Sequence, residues 1–341
     1  MGRPEDHGFS SGFAGKLDAA IAAGALPDLH GLVILADNKL VLERYVAGED
    51  QRWGQPLGRV AFAPETIHDL RSVSKSVVAL LYGIALARGE APVPEAPLLA
   101  QFPEYPDLAK GPERAALKVQ HVLTMTLGQE WNEDLPYTDP ANSEIGMEQA
   151  PDRYRFVLER PFVDTPGRRW IYSGGASALL GRLIEKGSGV TLHDFARTHL
   201  FEPLGIDASD WITGGDGAYS AASGLRLTPR DLARIGQMVL QNGSWDGREI
   251  VPSAWLTQAF TPRVPCFDDV DYGYQWYLRN ATDGHGPRRF AMGNGGQRLI
   301  LIPDRKLVIA ILCGAYNRPD QWKTPAAIML EHVLPALIAR N

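Results

Sequence analysis

Ser72 and Lys75 stand three positions apart in Arg71-Ser72-Val73-Ser74-Lys75, at the head of a segment with helical spacing. Positions i and i+3 share one face of a helix, so the lysine amine can reach the serine hydroxyl and act as its base. A serine at a helix start also lies near unpaired N–H groups and the positive end of the dipole, which suits an oxyanion. The same letters read equally well as a capping serine followed by a surface lysine. Tyr172, in Trp170-Ile171-Tyr172-Ser173-Gly174-Gly175, follows the turn Thr165-Pro166-Gly167 and precedes a helix. There a side chain can point into a cleft, and a tyrosine near a lysine can have a lowered pKa and shuttle protons. Taken alone, it reads more simply as an aromatic packed at a strand end. Gly293-Asn294-Gly295-Gly296-Gln297 lies between two strand-like runs, where glycines let a backbone or ligand approach closely. A strand and not a helix follows it, so it is not a dinucleotide fingerprint, and a plain connecting turn is the simpler reading.

The elements that must position these residues are visible as patterns. Residues 31–47 read as two Val/Leu/Ile-rich strands around an Asp37-Asn38 turn. Ser72 to Arg88 reads as a buried helix stopped by Gly89. Shorter helices are expected at Val119–Met125, Asp152–Leu158, Ala176–Lys186 and Leu192–Leu200. Further ones are expected at Thr228–Asn242 and Pro252–Phe260. Gly273–Leu278 and Arg289–Met292 are expected as short strands. Gln297–Ile302 and Leu307–Leu312 are near-continuous apolar runs, as strands covered on both faces should be. A last helix, Pro325–Ala339, carries Ala327, Leu330, Val333, Leu334 and Leu337 on one side. The order strands, helices, strands, helix points to an α+β fold, with one sheet built from both chain ends and a helical segment inserted between. The division expected is an N-terminal arm or helix over 1–29, an α/β domain of 30–90 plus 216–341, and a mostly helical domain over 91–215.

The 341 residues are 45% hydrophobic and 22% charged, with a net charge of −6, ample for a sizeable core. Basic residues are scattered, so nucleic acid is not an expected partner. The N-terminus has no basic start with an apolar run behind it, and no apolar stretch reaches the length of a membrane span. The expectation is therefore a cytoplasmic chain without a membrane partner. Two cysteines, Cys266 in what reads as a Pro-rich loop and Cys313 at the end of an apolar strand, make no disulfide framework. No H-E-x-x-H occurs, and His193 and His199 lack ligand spacing, so no catalytic metal or other cofactor is expected. Asp268, Asp269 and Asp271 fall short of a calcium loop. His68 and His121 read as packed structural residues. Gly8-Phe9-Ser10-Ser11-Gly12 matches G-x-S-x-G, but no strand precedes it.

Taken together, S-x-x-K, a later Tyr-Ser-x and a Gly-flanked triplet on a late strand form a joint pattern. It resembles that of penicillin-recognising serine hydrolases, the superfamily of β-lactamases and penicillin-binding proteins. The closest likeness is to the branch with class C β-lactamases, D-alanyl-D-alanine peptidases, carboxylesterases and nylon-oligomer hydrolases. Val119-Gln120-His121-Val122-Leu123-Thr124-Met125-Thr126, Ser223–Ala233 and Tyr272-Gly273-Tyr274-Gln275-Trp276 also resemble family segments. The resemblance implies a β-lactamase-like fold, an antiparallel sheet flanked by helices, and Ser72 acylated while Lys75 and Tyr172 move the proton. It implies an oxyanion hole made of the N–H groups of Ser72 and Gln297. Gly174 stands where the family has an Asn, and Asn294-Gly295-Gly296 stands for Lys-Thr-Gly. The amide and the cation that serve β-lactams are thus absent, and Arg298 or Arg226 is the candidate replacement charge. Trp131 and Trp170 are candidate cleft residues. The expected substrate is a small ester or amide. The alternatives are a β-lactamase or D-alanyl-D-alanine carboxypeptidase, a transacylase, or a catalytically silent binding protein. The loop Leu135–Ser143 is a candidate lid.

Overall fold

A computed structural model describes residues 2–280 and 284–338. Its centre is an eight-stranded antiparallel sheet. The chain enters it through β1 (Leu29–Ala36) and β2 (Lys39–Tyr45). It returns through β3 (Val264–Phe267), β4 (Val270–Tyr272), β5 (Tyr277–Arg279), β6 (Arg288–Gly293), β7 (Gln297–Ile302) and β8 (Leu307–Cys313). The edge-to-edge order is β3-β4-β5-β6-β7-β8-β1-β2, so the two chain ends meet where β8 pairs with β1. Asp37 and Asn38 hold φ of 48° and 65°, the left-handed pair that a two-residue hairpin between β1 and β2 requires.

The apolar runs are apolar because both sheet faces are covered. Val33, Leu299, Leu301, Val308, Ala310 and Leu312 pack into one core; Leu32, Ile34, Ile300, Ile302, Leu307, Ile309 and Ile311 pack into the other. The second core is closed by Phe13 and Leu17 of α1 (Phe13–Ala22) and by Ile328 and Val333 near the C-terminus. The first contains α2 (Val73–Ala87), α3 (Gly174–Ser188) and α4 (Pro229–Leu240). Helix α4 lies so close to the sheet that a Cβ on Gly236 would fall 2.7–3.0 Å from Val308, Leu299 and Leu301.

Three expectations need correcting. Gly273–Leu278 is not one strand. Gly273–Trp276 is a turn between β4 and β5, with Gln275 at φ 60°. Its buried amide Nε2 donates to the carbonyls of Val122 and Leu123, and its Oε1 accepts from Ser177, so tertiary contacts outweigh the β-prone letters. The Cys266 segment, read as a loop, is strand β3; Cys266 is half-buried there, and burial pushes its thiol up to about 12. In the C-terminal helical segment Leu330 is 63% exposed, because wide π-type turns over Ile328–Val333 rotate it off the buried face. Residue 339, the expected end of that helix, lies outside the described residues. No described helix is long and apolar enough to cross a membrane.

Candidate active site

Ser72 occupies the cap position of α2 and faces an open cleft of about 350 Å³. The turn that presents it is held from several sides. Leu70 N–H donates to Leu225 O, Ser74 Oγ donates to Arg71 O, and Arg71 sits at φ 49°, a conformation that non-glycine residues rarely adopt. The Arg71 guanidinium pairs with Asp69 at 3.3 Å and lies 4.8 Å over the Tyr316 ring. One turn into α2, Lys75 is 2% exposed and donates through Nζ to Ser72 Oγ at 2.9 Å and to Ala222 O at 2.9 Å.

Tyr172 completes the group. Its ring centre is 4.9 Å from Lys75 Nζ, and it lines the same cleft as Ser72. The lowered tyrosine pKa expected from the nearby lysine is not what the site produces. Burial, then the carboxylates of Glu133 and Glu144, push Tyr172 well above its ordinary value.

Those two carboxylates went unnoticed in the sequence. Glu133 Oε1 accepts from Gly174 N–H at 2.5 Å and from Trp131 Nε1 at 2.6 Å, while Glu144 accepts from Ser223 Oγ at 2.6 Å. The two hydrogen-bond to one another. Burial and the neighbouring Glu144 push Glu133 up to about 8. Against its own burial, Glu144 is pulled down by Lys75 and by the hydrogen bonds from Glu133 and Ser223. One proton is therefore shared by the pair. They fill the space beside Gly174, where a Cβ would fall 3.0 Å from Glu133 Oε1 and 3.2 Å from Glu144 Cδ. An amide side chain there would press on both carboxylates.

The glycine-rich hairpin reaches the nucleophile turn through Gly293, whose Cβ would fall 2.4 Å from Leu70 O. The hairpin residues lining the cleft are Met292, Gly293 and Asn294. Gly295 and Gly296 turn the chain at φ 89° and 99° behind it. Gln297 lies apart from the lining: it is fully buried, and its side-chain amide clamps Cys313 N and O at 2.9 and 2.7 Å. Among the described residues, the N–H groups of Ser72 and Asn294 donate to no protein acceptor, whereas Gly295 N–H is taken by Gln321 Oε1. The hairpin residue that shares the cleft lining with Ser72 is Asn294, three residues before the expected Gln297, and Gly293 beside it touches the nucleophile turn.

The two candidate cations separate. Arg226 pairs with Asp69 at 2.7 Å and is buried. Arg298 lines the cleft and pairs with no carboxylate among the described residues. Trp131 packs behind Glu133, and Trp170 sits among Tyr172, Phe267, Tyr272 and Tyr277; neither lines the cleft. Tyr137, Tyr277, Gln321 and Trp322 do, and no local spacing announced them. The Leu135–Ser143 loop is pinned over the carboxylates, with Asn142 Nδ2 donating to Leu135 O and the Tyr137 hydroxyl 3.4 Å from both Glu133 and Glu144. His121 is buried beside Lys118, and burial pushes it down to about 4.

Known proteins agree with this architecture. The 6-aminohexanoate-dimer hydrolase of Paenarthrobacter ureafaciens is 26% identical over 337 residues, covering 89% of this chain and 79% of its own. The octameric penicillin-binding protein homologue from Pyrococcus abyssi superposes with a TM-score of 0.72 at 21% identity, covering 95% of this chain and 79% of that one. EstCE1, described as a hydrolase with promiscuous acyltransferase activity, superposes with a TM-score of 0.71 at 14% identity, covering 93% of this chain and 97% of that one. At those identities the two structures speak for the fold alone. The family model described as Beta-lactamase matches residues 18–332, and the chain belongs to that family of serine hydrolases.

Proposed function

We propose that this chain hydrolyses a small ester or amide through an acyl-enzyme on Ser72. The observation that carries the reading is the buried 2.9 Å contact from Lys75 Nζ to Ser72 Oγ at the head of α2, open to the cleft on one side. Ser72 Oγ attacks the carbonyl carbon and its proton passes to the Lys75–Tyr172 pair. The oxyanion lies between the N–H groups of Ser72 and Asn294. When the tetrahedral centre collapses, the bond to the leaving group breaks and that group takes the proton. Water then attacks the acyl-enzyme, and the same side chains return the proton to Ser72.

The cleft favours an ester or simple amide over a β-lactam. Gly174 and the carboxyl pair replace an amide donor, and Asn294 stands at the hairpin where a lysine would be expected. Arg298 is the group available for a substrate carboxylate.

Intact-mass spectrometry with peptide mapping tests this. A fluorophosphonate should add to Ser72 in the wild type and not in Ser72→Ala, and hydrolysis of an activated ester should vanish with it. Full ester turnover by Ser72→Ala would overturn the nucleophile. Fast penicillin turnover would move the substrate class to β-lactams, and ester products on an added alcohol would mark a transacylase.

A further inference from the structure

Outside the cleft, three side chains from three separate segments meet in the interior. His30 comes from β1, Asp50 from the strand Gly48–Arg52, and His68 from the short strand His68–Asp69 that leads into the nucleophile turn. All three are buried, and one potential ligand atom of each lies within 4.8 Å of the others. His30 Nδ1 is 3.0 Å from His68 Nε2, which is 3.7 Å from Asp50 Oδ1. Ligands around a tetrahedral ion held at about 2.0–2.1 Å stand about 3.3 Å apart, so these spacings bracket that geometry.

The chemistry of each group points the same way. His68 Nδ1 faces the Asp69 carbonyl at 2.9 Å, which places its proton there and leaves the Nε2 lone pair turned toward His30 and Asp50. The His30 ring is seated by two glycines: a Cβ on Gly48 or Gly314 would fall 2.4 or 2.3 Å from it, and Phe62 stacks on it at 4.3 Å. The Asp50 side chain is 1% exposed, and it accepts a hydrogen bond from the Tyr316 hydroxyl at 3.0 Å. A buried carboxylate calls for a positive partner. The nearby guanidiniums of Arg71 and Arg226 are both paired with Asp69.

We propose that His30, Asp50 and His68 hold one divalent transition-metal ion, with zinc the best match to two imidazoles and a carboxylate. Tyr316 or water takes the fourth position. The ion touches no reacting atom; it ties β1, the Gly48–Arg52 strand and the turn before Ser72 into one unit. This inference stands apart from the assignment of Ser72 as nucleophile.

Metal content tests it directly. Tag-free wild-type protein, dialysed against zinc alone and then against metal-free buffer, should retain one zinc per chain by plasma mass spectrometry. Asp50→Asn and His30→Gln should retain roughly a tenth of that or less. A chelator should lower the melting temperature of the wild type and leave that of the two variants unmoved. X-ray absorption at the zinc edge of the wild type should show imidazole scattering in a nitrogen–oxygen shell, a readout that needs no variant to fold. A wild type that retains no zinc overturns the site and leaves a hydrogen-bonded cluster in its place. So does zinc that both folded variants keep undiminished, or an absorption edge without imidazole scattering.

Discussion

Between Ser72 and Lys75 a proton has one hydrogen bond to travel, and Tyr172 beside them is held protonated by its surroundings rather than as a phenolate. Replacing Tyr172 by Phe keeps the ring over Lys75 and removes the hydroxyl. It should lower kcat by about 10²–10⁴-fold with little change in KM, read from steady-state kinetics on an activated ester. The carboxyl pair makes a second prediction at this scale. Glu133 titrates at about 8 in the folded chain against an ordinary 4.5. Between those values the native state binds more protons than the unfolded chain, so stability falls as pH rises through the window. The opposite shift of Glu144 acts below 4.5, outside it. Glu133→Gln should therefore lose less melting temperature than the wild type between about pH 5 and about pH 8, as a calorimetric series would record. Parallel curves would show that the pair does not share a proton.

At the scale of elements, α2 must hold its first turn against the hairpin on one side while burying the rest of its length. Gly83, midway along it, is where Trp255 crosses: a Cβ there would fall 2.0 Å from the indole, whose Nε1 donates to Ala79 O at 2.9 Å. Gly83→Ala should cost roughly 1–3 kcal/mol by overpacking, despite the better helix propensity of alanine, and denaturant titration would measure it. An unchanged midpoint would mean that Trp255 can move aside cheaply. The hairpin at Gly293–Gln297 shows the opposite economy. Gly293 lets β6 touch the nucleophile turn, and the buried Gln297 amide locks β7 to β8, so the residue that lines the cleft is Asn294, between them.

Across the whole molecule, the sheet is a partition with a core on each face, and the two ends of the chain close the second core together. Ile328, Val333 and Leu334 cover Ile302, Leu307 and Ile309 from the side opposite the cleft. Each large apolar side chain so covered contributes on the order of 1.5–3 kcal/mol, and folded chains have only about 5–15 kcal/mol in total. A chain ending before Lys323 should accordingly fail to give soluble protein with a cooperative melt, although every cleft-forming strand is intact. Circular dichroism and gel filtration would check this, and a folded, monomeric truncate would show that the first core suffices alone.

What could be read from the letters was local. The Ser72–Lys75 contact lies within one helical turn, the Asp37-Asn38 hairpin within two residues, and the doubly covered strands within their own apolar runs. In each case backbone geometry alone dictates which side chains meet. The superfamily was legible because several such local signals occur in a set order. Tertiary structure alone decided the rest. Glu133 and Glu144 meet Gly174 only after the inserted helices pack on α2. His30, Asp50 and His68 converge only when β1, the Gly48–Arg52 strand and the short His68–Asp69 strand pack together. Asn294 and not Gln297 lines the cleft because strand register and depth of burial are set by the neighbours, and no spacing along one segment carries that information.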